Sequence, residues 1–520
     1  MQLTAAGSGS DPKRLRLLSA LLAAAALLAL RLPTNVVPIL NVDEADFAVE
    51  SGVLLDGGRP YIEFVEKKPP LIYLLYAGGL ALVGRYNLPG LRLLMLAWVA
   101  ASAWVLGAIA RRLLGERAAL LAVPGYAVAV SIGPPLDFHA ANAETLFALP
   151  LLLGTWLCLP VDGDTPRAQR RRLLASGALI GIASLIKQQA GIQLLVLAAF
   201  VCMRASGPGA ARRVASLVAG FAAPWLLAIA MLARVGALAE FYYWTVTINR
   251  YYVANGNSLR DGLPLLAGAT VVLAKCSPAV WVLAIAQLVR YAVRPRRASA
   301  LLCLWFAGAL IPISLGGRYF LHYFLQLLPP AVLLASDLAV EIWDRLHAHR
   351  LARVAVGAAF GLSVAVPAVR GMAPYRDREV LSIPHAMPSA REVARYVREH
   401  TSPDARVLVW GYGSALYFLA ERQPATRFPY VTYLVGAVEG TSAWWSPFRP
   451  NEGLEIPRAW ELFFEDLERH PPAMVIDTSA PGYFAFTRFP PSRYPRLQSF
   501  LIANYQRTEV AGFPLWERKQ

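Results

Sequence analysis

Charge is scarce in this 520-residue chain. Asp, Glu, Lys and Arg make up 16% of it, against 56% hydrophobic residues and a mean hydropathy of +0.44. A soluble domain carries roughly 25% charged and about 45–50% apolar residues, so the composition excludes a wholly water-soluble globule. Cysteine is scarcer still. Cys158, Cys202, Cys276 and Cys303 all lie in or beside apolar runs, and none follows Met372. The C-terminal stretch therefore has no disulfide, and with no CxxC and no Cys/His cluster a cysteine-based metal centre is not expected. A small-x-small cleavage site is also missing after the first apolar run, where Arg31-Leu-Pro-Thr34 stands instead. That run, preceded by Lys13, Arg14 and Arg16, reads as an uncleaved first helix rather than a signal peptide. No internal repeat is visible. Gly411-Tyr-Gly413 lacks the rest of GxGxxG and reads as a plain strand-to-helix turn.

What the chain has in quantity is apolar sequence, filling residues 16–370 and thinning afterwards. A crossing helix needs about 20 apolar residues, which gives about eleven crossings. They fall near 16–36, 90–110, 118–134, 143–161, 173–187, 189–204, 214–233, 263–289, 299–316, 320–340 and 351–370. The net charge of +16 (50 Lys+Arg less 34 Asp+Glu) would suggest nucleic acid in a soluble protein. Here the basic residues concentrate in short loops, at Arg111-Arg112, Arg167–Arg172, Arg204–Arg213, Arg290–Arg297 and Arg345–Arg350. Cytoplasmic loops are expected to be basic, so the partner is a lipid bilayer and no nucleic acid is expected. All five loops fall inside only if the short run Leu71–Gly84, which follows Pro69-Pro70, lies along the outer surface. Segments 37–89, 135–142, 234–262 and 371–520 are then outside, with 317–323 as a short outer turn. The expectation is a multi-pass protein of the inner (plasma) membrane with a cytoplasmic N-terminus.

The fold expected is an all-α polytopic membrane domain, residues 1–370, followed by a small soluble extracytoplasmic α/β domain, residues 371–520. In the latter, Ala390–His400, the stretch to about Glu421, Trp460–Arg469 and Leu497–Tyr505 read as helices, and Arg406–Trp410 and Ala473–Asp477 as strands.

Four outer clusters carry polar residues at a membrane boundary. Asp43-Glu44 follows the first helix; the pair can favour a helix macrodipole, with Asp43 as an N-cap, or serve chemistry. Lys67-Lys68 precedes Pro69-Pro70, and its lysines can snorkel or supply point charges to a phosphate. Asp137, His139, Asn142 and Glu144 form the third cluster, in which Asp137 or Asn142 can cap the next helix. Arg318 and His322 stand in Gly316-Gly-Arg-Tyr-Phe-Leu-His-Tyr323, where they can bind an anion or brace the fold. Acids and cations brought to one face suit one reaction. A carboxylate takes a hydroxyl proton while cations neutralise a departing lipid phosphate.

These residues are similar to a known pattern. Asp43-Glu44 after the first helix, Lys68-Pro69-Pro70 and then Arg92 resemble the GT-C glycosyltransferases. More narrowly they resemble the bacterial members of glycosyltransferase family 39, the protein O-mannosyltransferase and aminoarabinose-transferase group. Asn142-Ala-Glu144, Leu185-Ile-Lys187-Gln188 and Gly317-Arg318 to His322-Tyr323 fit in order, and the resemblance covers roughly residues 20–340. It implies inverting transfer from a polyprenyl-phosphate-linked sugar donor to a glycan, lipid or protein acceptor on the outer side. Carried over, Asp43 activates the acceptor with Glu44 in support. Lys68, with Arg318, His322 and Lys187, holds the donor phosphate, and Asp137 or Glu144 positions acceptor or sugar. The additional domains of the eukaryotic protein mannosyltransferases are not recognisable, so protein mannosylation is not implied. No cofactor follows from the residues, and a divalent cation on the carboxylates is compatible with them. A transporter or flippase of a lipid-linked glycan is the alternative; it calls for charges along the helix interiors, which are few here. An inactive scaffold of the same fold is a third reading, against which the intact Asp43-Glu44 and Lys68 argue.

Overall fold

A computed structural model describes residues 11–204, 207–296, 299–346, 348–376, 388–441 and 453–519. Parts of the basic loops, at 205–206, 297–298 and 347, lie outside the described residues, as does 377–387 near the expected start of the C-terminal region. The chain opens with α1 (Pro12–Arg31), started by the Asp11 carboxylate accepting from Lys13 N at 3.0 Å. Next come α2 (Val42–Leu55), α3 (Leu71–Val83), α4 (Leu88–Leu113), α5 (Glu116–Ala129), the single turn α6 (Pro135–Phe138) and α7 (Ala143–Cys158). The series continues with α8 (Pro166–Ile186), α9 (Ile192–Arg204), α10 (Gly207–Arg234), α11 (Leu238–Tyr242) and α12 (Ile248–Ala254). It ends with α13 (Leu259–Cys276), α14 (Pro278–Val293), α15 (Ser299–Ser314), α16 (Leu328–Arg345) and α17 (Arg350–Arg376).

Six of these helical stretches are long and apolar enough to cross a membrane, and α13 with α14 makes up to a seventh. The lipid-facing character is visible in what stays uncovered: α10 and α17 bury little of their apolar length, and Leu17, Leu18, Leu21 and Leu22 of α1 are exposed. This is a multi-pass membrane protein. Small residues let its helices approach closely, as membrane packing requires. A Cβ on Gly177 of α8 would stand 2.0 Å from the Leu217 carbonyl oxygen of α10, and one on Gly220 would stand 2.0 Å from that of Leu174.

The two ends of the bundle differ. One end carries ion pairs: Arg16–Glu116 (2.6 Å), Arg111–Glu116 (2.9 Å), Arg117–Asp344 and Arg290–Glu341 (2.5 Å). The other end carries α2, α3, α6 and the C-terminal sheet. Helix α3 starts and finishes there, with Lys68 before it and, after it, Arg85 paired to Asp56 at 2.5 Å and Tyr86 against Phe418. So Leu71–Val83 does not run between the two ends.

Four expectations need correction. The run 263–289 is not one helix: it breaks at Ser277-Pro278 with a bend of 110°, because Pro278 has no N–H to continue the ladder and disfavours helical backbone in Ser277. The expected 118–134 helix ends at Ala129, and residues 321–327 form a 3-10 stretch before α16 begins. Asp43 is not the cap of α2. Asn41 is, its side-chain oxygen accepting from Asp43 N at 2.8 Å.

After α18 (Pro388–His400), five strands form one sheet in the order β2-β1-β3-β5-β4, from β1 (Arg406–Trp410), β2 (Gln423–Pro424), β3 (Met474–Asp477), β4 (Tyr505–Val510) and β5 (Phe513–Arg518). Strand β1 pairs parallel with β2 and β3, while β5 runs antiparallel to β3 and β4. The apolar run Val407–Trp410 suits a central strand covered on both faces. The sheet is held against the bundle by Val65 N donating to the Arg427 carbonyl (3.0 Å), Asn257 Nδ2 donating to that of Gly440 (2.9 Å), and Tyr430 donating its hydroxyl proton to Glu66.

Candidate active site

Where sheet and bundle meet lies a cavity of about 240 Å³. Its lining draws on the first two turns of α2 (Asp43, Asp46), the return before α3 (Glu66, Lys67, Lys68), α6 (Asp137), and the α8–α9 junction (Lys187). Tyr252, Phe320, His322 and Tyr323 close another side, and Tyr412, Tyr430 and Glu439 come from the C-terminal region. Segments almost 400 residues apart thus share one space.

Within it, His322 sits between two acids, its Nδ1 3.0 Å from Asp137 Oδ1 and its Nε2 3.9 Å from Asp43 Oδ2. Lys187 Nζ meets Glu144 Oε1 at 2.5 Å and lies over the Tyr323 ring. Lys68 Nζ stands 3.7 Å from Glu66 Oε1 and over the Phe47 ring. Burial acts against the Asp43 carboxylate, but Lys68 first, then His322, Lys187 and Lys67, outweigh it and hold its pKa below the ordinary value. For Lys68 the same competition runs the other way. Burial opposes the charge, while Asp43, Glu66, Glu50 and Asp46 raise the pKa well above that of a free lysine. The result is an ionised acid beside a permanently charged cation in a partly dry space, where electrostatic interactions are strong.

Of the residues singled out in the sequence, Asp43, Lys68, Asp137, Lys187 and His322 line this cavity. Glu44 does not. It is fully buried behind the wall, accepting from Leu40 N (2.5 Å) and Ala141 N (3.1 Å), with Arg92 3.8 Å away. Neighbouring helical residues point about 100° apart, so Asp43 and Glu44 cannot share a face. Arg318 is not in the lining either. Its guanidinium donates to the Glu439 (2.8 Å) and Tyr252 (2.9 Å) carbonyls and stacks on the Tyr252 ring at 3.6 Å, bracing a wall rather than facing the space. Glu144 reaches the cavity only through Lys187. Asn142 begins α7 without a side-chain capping bond.

Lys67, read in the sequence with Lys68 as a candidate phosphate ligand, lines the cavity too, while Asp46, Glu66 and the three C-terminal residues join the site without having been singled out for it. Asp46 had a signal: it lies three residues from Asp43, the spacing that puts two side chains on one helix face. Lys67 is held by Glu439 at 3.3 Å and lies over the rings of Tyr252 and Tyr433. Among the described residues, no group of three or more His, Cys, Asp or Glu side chains is arranged to hold a metal ion.

Comparison with known proteins bears on the fold. Residues 67–233 match the family described as dolichyl-phosphate-mannose-protein mannosyltransferase. The whole fold resembles ArnT from Cupriavidus metallidurans, solved bound to undecaprenyl phosphate. The TM-score is 0.62 and the identity 17%, over 95% of this chain and 97% of that one. It also resembles the oligosaccharyltransferase AglB from Archaeoglobus fulgidus, solved with an inhibitory peptide and a dolichol-phosphate. There the TM-score is 0.55 and the identity 13%, over 98% of this chain and 74% of that one. This chain shares its overall fold with both of these solved structures. No curated protein sequence gives a significant match.

Proposed function

We propose that this chain is an inverting glycosyltransferase that moves a sugar from a polyprenyl-phosphate donor to an acceptor on the extracytoplasmic side of the plasma membrane. The observation that carries the proposal is the shared cavity, in which Asp43 faces Lys68 and Lys187 where the bundle meets the sheet. ArnT was solved with undecaprenyl phosphate bound and AglB with a dolichol-phosphate, which supports the donor class.

Asp43 accepts the proton of the acceptor hydroxyl as its oxygen attacks the anomeric carbon. The bond from that carbon to the phosphate oxygen breaks on the opposite face, so configuration inverts. The departing lipid phosphate keeps the electron pair, and Lys68 with Lys187 neutralises the charge that builds there. His322, held by Asp137, sits beside the Asp43 carboxylate and fixes its direction. Glu44 and Arg318 act at one remove: Glu44 ties α2 to α4 and to the α6–α7 turn, and Arg318 holds Tyr252 and Glu439 in the wall. Residues 1–370 form the catalytic membrane domain, and 371–520 a second domain that completes the site. The ion-paired end of the bundle is cytoplasmic, as the positive-inside rule favours.

The direct test incubates purified protein with a panel of radiolabelled polyprenyl-phosphate sugars. Asp43→Asn is expected to lower turnover by about 10²–10⁴-fold, the usual weight of a general base. Equal turnover in both proteins sinks the assignment. For topology, Asn87→Cys is expected to react with impermeant thiol reagents from the outer side; labelling from the cytoplasm alone reverses the orientation.

A further inference from the structure

The charged groups that face the phosphate leave one wall of the cavity unexplained. Asp46 lines the space, is 2% exposed, and its Oδ1 has no hydrogen-bond partner. A buried polar atom without a partner costs roughly 1–3 kcal/mol, a cost that a ligand hydroxyl bound in the cavity offsets. Next to it stand Tyr412 and Tyr430, whose rings meet edge to face at 5.2 Å and which both line the same space. Asp46 lies three residues beyond Asp43 on α2, about 4.5 Å further along the helix axis toward the C-terminal sheet.

Resting on the glycosyltransferase reading, we propose that Asp46, Tyr412 and Tyr430 form the subsite that holds the sugar ring of the donor. The displacement from Asp43 matches the width of one sugar ring. The phosphate lies against the lysines, the anomeric carbon opposite Asp43, and the ring hydroxyls reach Asp46.

Electrostatics divides the two acids. Asp43 is held ionised, whereas burial first, and then Asp43 itself, pushes the Asp46 carboxyl well above its ordinary range, against a hydrogen bond from Ser414. Two carboxyls with pKa values driven apart take different roles. The ionised one suits a base, and the neutral one offers an O–H donor and an acceptor, the complement of a sugar hydroxyl. Both tyrosines stay phenols, their pKa values raised by burial and by the surrounding acids. Each presents an apolar ring with a polar tip, a surface that a sugar's mixed faces can cover.

The test compares two probes on the full-length protein in lipid nanodiscs: undecaprenyl phosphate, and undecaprenyl phosphate carrying glucose, mannose or arabinose. In the wild type one of the sugars is expected to tighten binding over the bare phosphate. Asp46→Ala and Tyr412→Ala are each expected to weaken the sugar-bearing lipid about tenfold, the weight of one or two lost hydrogen bonds or ring contacts. Bare undecaprenyl phosphate should bind these variants unchanged, which also reports that they fold. Asp46→Asn, an uncharged isostere with a donor and an acceptor, is expected to keep the sugar increment. Equal weakening of both lipids, loss of the increment in Asp46→Asn, or a wild type that gains nothing from any of the sugars overturns the subsite. A wild type that binds neither lipid overturns the glycosyltransferase reading and this inference with it.

Discussion

The two ends of the helix bundle use the same residue types in opposite ways. At the cavity end, acids and lysines are buried: Lys187 and Glu144 meet at 2.5 Å with side chains 8% and 1% exposed. At the far end, Arg117 and Asp344 are paired with side chains 56% and 51% exposed, and Arg16 and Glu116 are likewise half in solvent. Coulomb attraction scales inversely with the local dielectric, so pairs of similar length differ several-fold in strength between the two settings. Desolvation scales the same way, and a buried charge must keep its partner or a ligand. The far end can therefore lose any one pair at little cost. The cavity end cannot, and that intolerance is what holds an ionised carboxylate beside cations.

Mutation separates the two ends in order of effect. The largest change after Asp43 is expected at Lys68. Lys68→Ala leaves Asp43 without its strongest favourable neighbour, so donor affinity falls and the pKa of Asp43 rises. The acid limb of the pH–rate profile then moves to higher pH, since turnover is lost as pH falls through that pKa. An unshifted limb with normal donor affinity removes Lys68 from the site. Next comes the buried pair. Lys187→Ala strands Glu144 in a buried place, and breaking such a pair costs roughly 3–5 kcal/mol. Thermal unfolding of the purified protein reads this, and a loss under about 1 kcal/mol would mean that water reaches the pair.

Stability also has a pH signature at this end. Glu50, one turn past Asp46, is fully buried with neither carboxylate oxygen partnered, and burial followed by Glu66 and Asp46 pushes its pKa well up. Between the ordinary glutamate pKa of about 4.3 and that raised value, the unfolded chain releases a proton the folded chain keeps, so stability declines as pH climbs. Glu50→Gln removes the penalty. Its melting temperature is expected to exceed that of the wild type at neutral pH, with the gain shrinking as pH falls toward about 4 and absent below it. A constant gain at every pH would assign it to packing instead.

The same contrast explains what could be read beforehand. Asp43, Lys68, Asp137, Lys187 and His322 were legible because each sits where an apolar run ends, and a charge at a membrane boundary needs a reason. Asp46 was within reach through helical spacing alone. Tyr412, Tyr430 and Glu439 were not, because their place depends on how the sheet docks, and no local pattern encodes that. In the C-terminal region the β4–β5 hairpin escaped notice for a physical reason. Its turn is Ala511-Gly512 with φ of 51° and 81°, where Asn-Gly or Asp-Gly would be the recognisable pair for two left-handed residues. β4 is also a mostly exposed edge strand with little apolar alternation. The break at Ser277-Pro278 was visible as a proline, yet the apolar run on both sides outweighed it.

The smallest effect is expected at the far end, and it is the sharpest control. Arg117→Ala removes the pair with Asp344, but both side chains of that pair are more than half exposed, and an exposed pair is worth less than about 1 kcal/mol. Turnover should stay at the wild-type level and the melting temperature should barely move. Raising the salt concentration should erase what difference remains, because exposed charges are screened within about 10 Å at 0.1 M. A large loss in Arg117→Ala that salt does not diminish would mean this end is closed to solvent in the membrane. The contrast between a wet, tolerant end and a dry, reactive one would then have to be drawn elsewhere in the bundle.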